Sequence, residues 1–95
     1  MAPDKPVRRC PLRIVNRLGL HARAAARFAT VAGEYAAEIT VHFGDHSANG
    51  KSIMGLMMLA AGQGSELELI VEGDDAEQAV AGIRALVDDG FGEAD

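Results

Sequence analysis

The sequence predicts an α/β (α+β) fold of the open-faced β-sandwich class: a four-stranded, mostly antiparallel sheet with three helices on one face, in the order βαββαβα. Three observations predict it. The stretches 38–43 and 66–72 alternate apolar and polar residues with the two-residue period of a strand that buries one side only. The stretches beginning at Ala22 and ending before Gly90 instead repeat their apolar residues at helical spacing. A sheet with a single apolar face must carry all of its helices on that face.

The elements follow in order. A first strand is predicted over about 9–16, where Leu12 and Ile14 alternate with Arg13 and Pro11 is tolerable near the start or on an edge. After a turn at Gly19, Ala22, Ala25, Ala26, Ala29 and Val31 or Ala32 recur near helical spacing, giving a first helix with a small buried face. In the next strand Ile39, Val41 and Phe43 lie opposite Thr40 and His42, and Gly44-Asp45 turns the chain back into a short strand over 46–49. Ser52 is placed to cap a second, short helix that is apolar nearly all round. Leu56 and Leu59 are assigned to the core with Ile53, Met54 and Met57 outward, although the residues alone also allow all of them to be buried. Gly62 and Gly64 precede the last strand, in which Leu67, Leu69 and Val71 face away from Glu66, Glu68, Ile70 and Glu72. Asp74 or Asp75 is predicted to cap the final helix, with Glu77 or Gln78 completing a capping box. Ala79, Val80, Ile83, Leu86 and Val87 form its buried stripe, and Gly90 ends it. The expected organisation is a flexible tail over 1–8, one domain over 9–91 and an acidic tail over 92–95.

Composition narrows the function. With 95 residues, 48% of them apolar, the chain holds one core. Its net charge of −5, with three phenylalanines, one tyrosine and no tryptophan, argues against a nucleic-acid or anionic-membrane binder. The acids cluster late, whereas Arg8, Arg9, Arg13, Arg17, Arg23 and Arg27 lie early and leave a locally basic end. Cys10 is the only cysteine, so no internal disulfide is possible. The start lacks the apolar stretch of a signal peptide, and the longest apolar run, over 53–61, is too short to span a bilayer. A cytoplasmic location is expected. There is no carboxylate pair at set spacing and no phosphate-binding glycine-rich loop, which argues against an enzyme in its own right. A metal site built from Cys10, His21, His42 and His46 lacks ligand spacing, so no metal and no cofactor are expected.

One motif carries chemistry: Gly19-Leu20-His21-Ala22-Arg23 puts a histidine where a loop turns into an alanine-rich helix. The first backbone N–H groups of that helix, from Ala22, Arg23 and Ala24, have no partner inside it and form a small anion site beside the imidazole. Such a pairing suits a histidine that receives a phosphoryl group. It also suits one that only caps the helix, and the local pattern leaves both readings open.

Together with Lys51-Ser52-Ile53-Met54-Gly55-Leu56-Met57, separated from the first motif by the predicted strand pair, the chain resembles the HPr phosphocarrier family of the bacterial phosphotransferase system over about 10–91. The Asn16-Arg17-Leu18-Gly19 lead-in and the Gly90-Phe91 ending are more similar to its nitrogen-related branch, NPr, than to sugar-transport members. The resemblance implies that His21 accepts a phosphoryl group on Nδ1 from phospho-enzyme I and hands it to a histidine of an EIIA-type protein. It implies that Arg23 steadies the phosphate oxygens, and that Ile53, Met54 and Met57 form the docking face. Ser52 matches the serine that HPr kinase/phosphorylase modifies in members with that regulation. The implied protein is a monomeric, stoichiometric carrier rather than an enzyme. A regulatory module on the same fold, whose phosphorylation switches its binding partner, is the alternative. Ala24 departs from the family's usual proline, which leaves the first turn softer and adds a donor to the pocket. Arg27, one turn on, is either an extension of the basic rim or a solvated helix residue.

Overall fold

Strand pairing in the computed structural model, which describes residues 5–93, starts at Val7, inside the stretch expected to be tail. The parts of the two expected tails at 1–4 and at 94 and 95 lie outside the described residues. The strands are β1 (Val7–Arg13), β2 (Glu38–Phe43), β3 (His46–Asn49) and β4 (Glu66–Glu72). The helices are α1 (Ala22–Ala32), α2 (Ile53–Met58) and α3 (Ala76–Asp88), followed by a 3₁₀ turn over Gly90–Gly92. All strand pairs are antiparallel and the sheet order is β1-β4-β2-β3.

β1 begins early because β4 runs to Glu72, and the register that sets Cys10 opposite Leu69 also sets Val7 opposite Glu72. It ends at Arg13, three residues short of the expected end, and Ile14 instead exchanges backbone hydrogen bonds with Gly64 and Ser65. Cys10 and Leu12, Ile39 and Val41, and Leu67, Leu69 and Val71 all point into the core, so one face of the sheet is covered as the alternation requires. The β2–β3 hairpin closes with Phe43 opposite His46 around Gly44 at φ +59°, a left-handed conformation that glycine adopts without strain.

Two helices differ from expectation in detail. α1 buries Ala24, Ala25, Phe28, Ala29 and Ala32, whereas Ala22 is exposed and Ala26 is half-buried. Alanines at nearly every phase concealed which stripe faces inward, and the fully buried Phe28 ring fixes it. At the start of α3, Asp75 makes no capping hydrogen bond and the capping box is absent. Its carboxylate instead accepts from the N–H groups of Ala36 and Ala37 at 2.8 and 2.9 Å, tying the entry to β2 to α3. At the other end Gly90 turns at φ +64° and Phe91 is fully buried, so the core extends through the residue before the expected acidic tail.

Candidate functional site

The loop that carries His21 is fastened before α1 begins. Gly19 lies at φ +70°, and a Cβ there would fall 2.6 Å from the Ala61 carbonyl oxygen and 2.8 Å from the Gly62 Cα, so only glycine fits. Leu20, itself buried, donates its N–H to the same Ala61 oxygen at 2.9 Å. These contacts tie the loop to the connection between α2 and β4 and leave His21 as the N-cap of α1, in extended conformation. The first i→i−4 bond of the helix runs from the Ala25 N–H to the His21 carbonyl at 2.8 Å. The N–H groups of Ala22, Arg23 and Ala24 therefore precede the regular ladder, and no acidic residue occupies that first turn. The positive end of the helix faces the imidazole directly.

The ring is held from both sides. On one side Nδ1 accepts from the Arg23 N–H at 3.3 Å, a long and weak bond. On the other, Nε2 lies 2.5 Å from Oε2 of Glu93, a residue expected in the acidic tail. The Glu93 side chain is only 11% exposed. Its Oε1 accepts from Nδ2 of Asn16 at 2.9 Å, and the same Asn16 nitrogen donates to the Gly19 carbonyl at 2.9 Å. The Asn16 hydrogen bond, then the one from His21, hold the Glu93 carboxyl below its ordinary value; the nearby His21 and Arg23 charges act in the same direction and partial burial opposes them. Arg27 donates from its guanidinium to the Phe91 carbonyl. It is thus a clamp on the segment that carries Glu93, although the residue as a whole stays exposed. The hollow above these groups has a volume of about 790 Å³ and is lined by Arg17, Leu18, His21, Ala22, Arg23, Arg27, Gly92 and Glu93.

Ser52 caps α2, its Oγ accepting from the Gly55 N–H at 3.0 Å. Leu56 and Leu59 are buried, while Ile53, Met54 and Met57 are exposed, Met54 to 73%. Met58, at 79% exposure, belongs to the same apolar surface and was not assigned to it from the sequence. α2 packs beside α1. Cys10 is buried in β1, while His42 and His46 belong to the hairpin of β2 and β3, so these residues are not brought together with His21. Among the described residues no group of three metal-ligating side chains occurs, and no helix is long and apolar enough to cross a membrane. Sequence reasoning missed Asn16 and Glu93. Asn16 is a polar residue in a loop of the kind normally solvated, and Glu93 lies 72 residues from its histidine, so neither carried a local signal.

Comparison with known proteins adds an independent line. The family model described as the PTS HPr component phosphorylation site matches residues 9–89. The phosphocarrier protein HPr of Neisseria meningitidis serogroup A is 44% identical over 84 residues, covering 88% of this chain and 94% of that protein. The phosphocarrier protein NPr of Shewanella violacea is 48% identical over 81 residues, covering 85% of this chain and 89% of that protein. The crystal structure of HPr-C-His from Thermoanaerobacter tengcongensis superposes with a TM-score of 0.88 at 39% identity, covering 92% of this chain and 98% of that one.

Proposed function

Because this chain belongs to the HPr/NPr family of phosphocarrier proteins of the bacterial phosphotransferase system, we propose that it is a stoichiometric carrier that holds its phosphoryl group on Nδ1 of His21. Phospho-enzyme I is the donor and a histidine of an EIIA-type protein is the acceptor. The observation that carries this reading is the seat of His21: an N-cap imidazole whose Nδ1 accepts weakly from the Arg23 N–H in the first turn of α1, ahead of the regular helical ladder.

The transfer follows from that seat. The Nδ1 lone pair attacks phosphorus as the bond between phosphorus and the donor nitrogen breaks. The Arg23 N–H, only weakly engaged at 3.3 Å, turns to an incoming phosphate oxygen at little cost. The N–H groups of Ala22 and Ala24 take further oxygens, and the Arg23 guanidinium opposes their charge. Ala24 supplies one donor that a proline would lack. The exposed Ile53, Met54 and Met57, with Met58, form a flexible apolar surface suited to docking two different partners in turn. Ser52, at the head of that surface, is the proposed site of regulatory phosphorylation by a protein kinase of the HPr kinase/phosphorylase type.

Incubation with enzyme I, magnesium and phosphoenolpyruvate, followed by intact mass and acid treatment, tests the carrier. Wild type should gain one acid-labile phosphate and His21→Ala none. No gain with an enzyme I shown to be active would overturn the reading.

A further inference from the structure

We propose that Glu93 is a positioning residue that fixes the tautomer of His21, with Asn16 as its reference point; the inference rests on His21 being the phosphoryl acceptor. A neutral imidazole carries one N–H and one lone pair, and only the lone pair is nucleophilic. The two neighbours of the ring choose between the forms. An ionised carboxylate only accepts, so Glu93 Oε2 at 2.5 Å from Nε2 requires the proton on Nε2. A backbone N–H only donates, so Arg23 requires the lone pair on Nδ1. Both demands are met by the same tautomer, the one competent to take phosphate on Nδ1.

The orientation of Glu93 is itself fixed. Asn16 is 2% exposed, and its Nδ2 stands between two acceptors, the Gly19 carbonyl and Glu93 Oε1. Turning the amide over would place its oxygen against both, so Nδ2 must face Glu93. The carboxylate also balances charge through the reaction. When Nδ1 bonds to phosphorus the ring, still protonated on Nε2, becomes cationic beside Glu93. When the phosphoryl group departs the lone pair returns to Nδ1, and no proton has to leave the ring at either step.

This wiring separates two substitutions that a merely structural contact would not. In Glu93→Gln the Asn16 Nδ2 claims the new amide oxygen, which leaves the amide NH₂ aimed at His21 Nε2. That demands a lone pair on Nε2 and a proton on Nδ1, in conflict with the Arg23 N–H. Glu93→Ala removes the carboxylate and leaves Arg23 alone to favour the active form. The milder-looking change should therefore be the more damaging. The same logic makes Asp→Asn in a serine-protease triad cost about 10⁴ in kcat through the wrong tautomer. At this more exposed ring a loss of about 10–100-fold is expected, the range typical of carboxylates that orient a histidine.

The test reads the ring directly. Nitrogen-15 NMR of His21, at a pH where the ring is neutral, should show protonated Nε2 in wild type and Glu93→Ala, and a shift toward protonated Nδ1 in Glu93→Gln. Phosphorylation by phospho-enzyme I should fall in the order wild type, Glu93→Ala, Glu93→Gln. An unchanged tautomer in Glu93→Gln, or a Glu93→Gln rate equal to or above that of Glu93→Ala, overturns the proposal. Because the ring spectrum is taken without phosphate, a wild type that shows this tautomer yet accepts no phosphate would count against the carrier reading instead.

Discussion

Glu93 shows how much one side chain can decide when its two oxygens have different partners. Held by Asn16 first and by His21 second, its carboxyl has a lowered pKa in the folded protein, so the unfolded chain takes up the proton more readily. The sign follows. The stabilisation is complete above the ordinary glutamate range and is lost as pH falls through the lower folded value. Urea midpoints should therefore drop more steeply as pH falls below the ordinary glutamate range in wild type than in Glu93→Gln, the other carboxylates being common to both. Parallel slopes would show that the ionised carboxylate of Glu93 contributes nothing to folding. Residues of this kind set the limit of sequence reading. The N-cap position of His21 was legible because a glycine, a histidine and an alanine-rich run are adjacent, and a helix start is a local feature. Glu93 looked like one more acid near an acidic end, since only the folded chain reveals what it faces.

Among the elements, α2 carries the sharpest division between a side that holds the fold and an exposed apolar side proposed to meet a partner. It is a six-residue helix whose inner side is Leu56 and whose outer side is Ile53, Met54, Met57 and Met58, with Ser52 as its cap. Ser52→Asp keeps a capping side chain, so stability should stay within about 0.5 kcal/mol of wild type. The added charge lies at the edge of the apolar surface, and the initial rate of His21 phosphorylation by phospho-enzyme I should fall. Urea unfolding and that rate, measured on one preparation, separate the two effects; phosphorylation at the wild-type rate would leave Ser52 with capping alone. The strands were read well because period-two alternation reports one buried face directly, and β2 and β4 have the predicted limits. The phase of α1 was not, because Ala22, Ala24, Ala25, Ala26, Ala29 and Ala32 present a small side chain in almost every direction. At the head of α3 the tertiary claim of Ala36 and Ala37 on Asp75 overrode a local capping signal.

On the scale of the whole molecule, the site is a junction between residues near the start of the chain and residues near position 93, closed over a common core. Phe91 is the seal. It is fully buried, and its carbonyl is clamped by Arg27 from α1. Phe91→Ala should cost about 3–5 kcal/mol, as large-to-small changes at buried aromatics do, and should free Glu93 from His21. A loss below about 1 kcal/mol by urea unfolding would place Phe91 outside the cooperative core. The βαββαβα order and the single covered face were legible, because each rests on local periodicity summed along the chain. The closure at Phe91 and Glu93 was not, because it depends on where the last helix delivers the chain. That closure also imposes an order in time. The ribosome makes the imidazole early and its carboxylate some seventy residues later, after every strand and helix has been synthesised. A nascent or broken chain that stops at Val87 has the histidine but neither the buried ring of Phe91 nor the carboxylate of Glu93. The contact between Glu93 and His21 therefore forms only when synthesis has passed Glu93, and a chain cut before it holds its histidine in the state expected of Glu93→Ala.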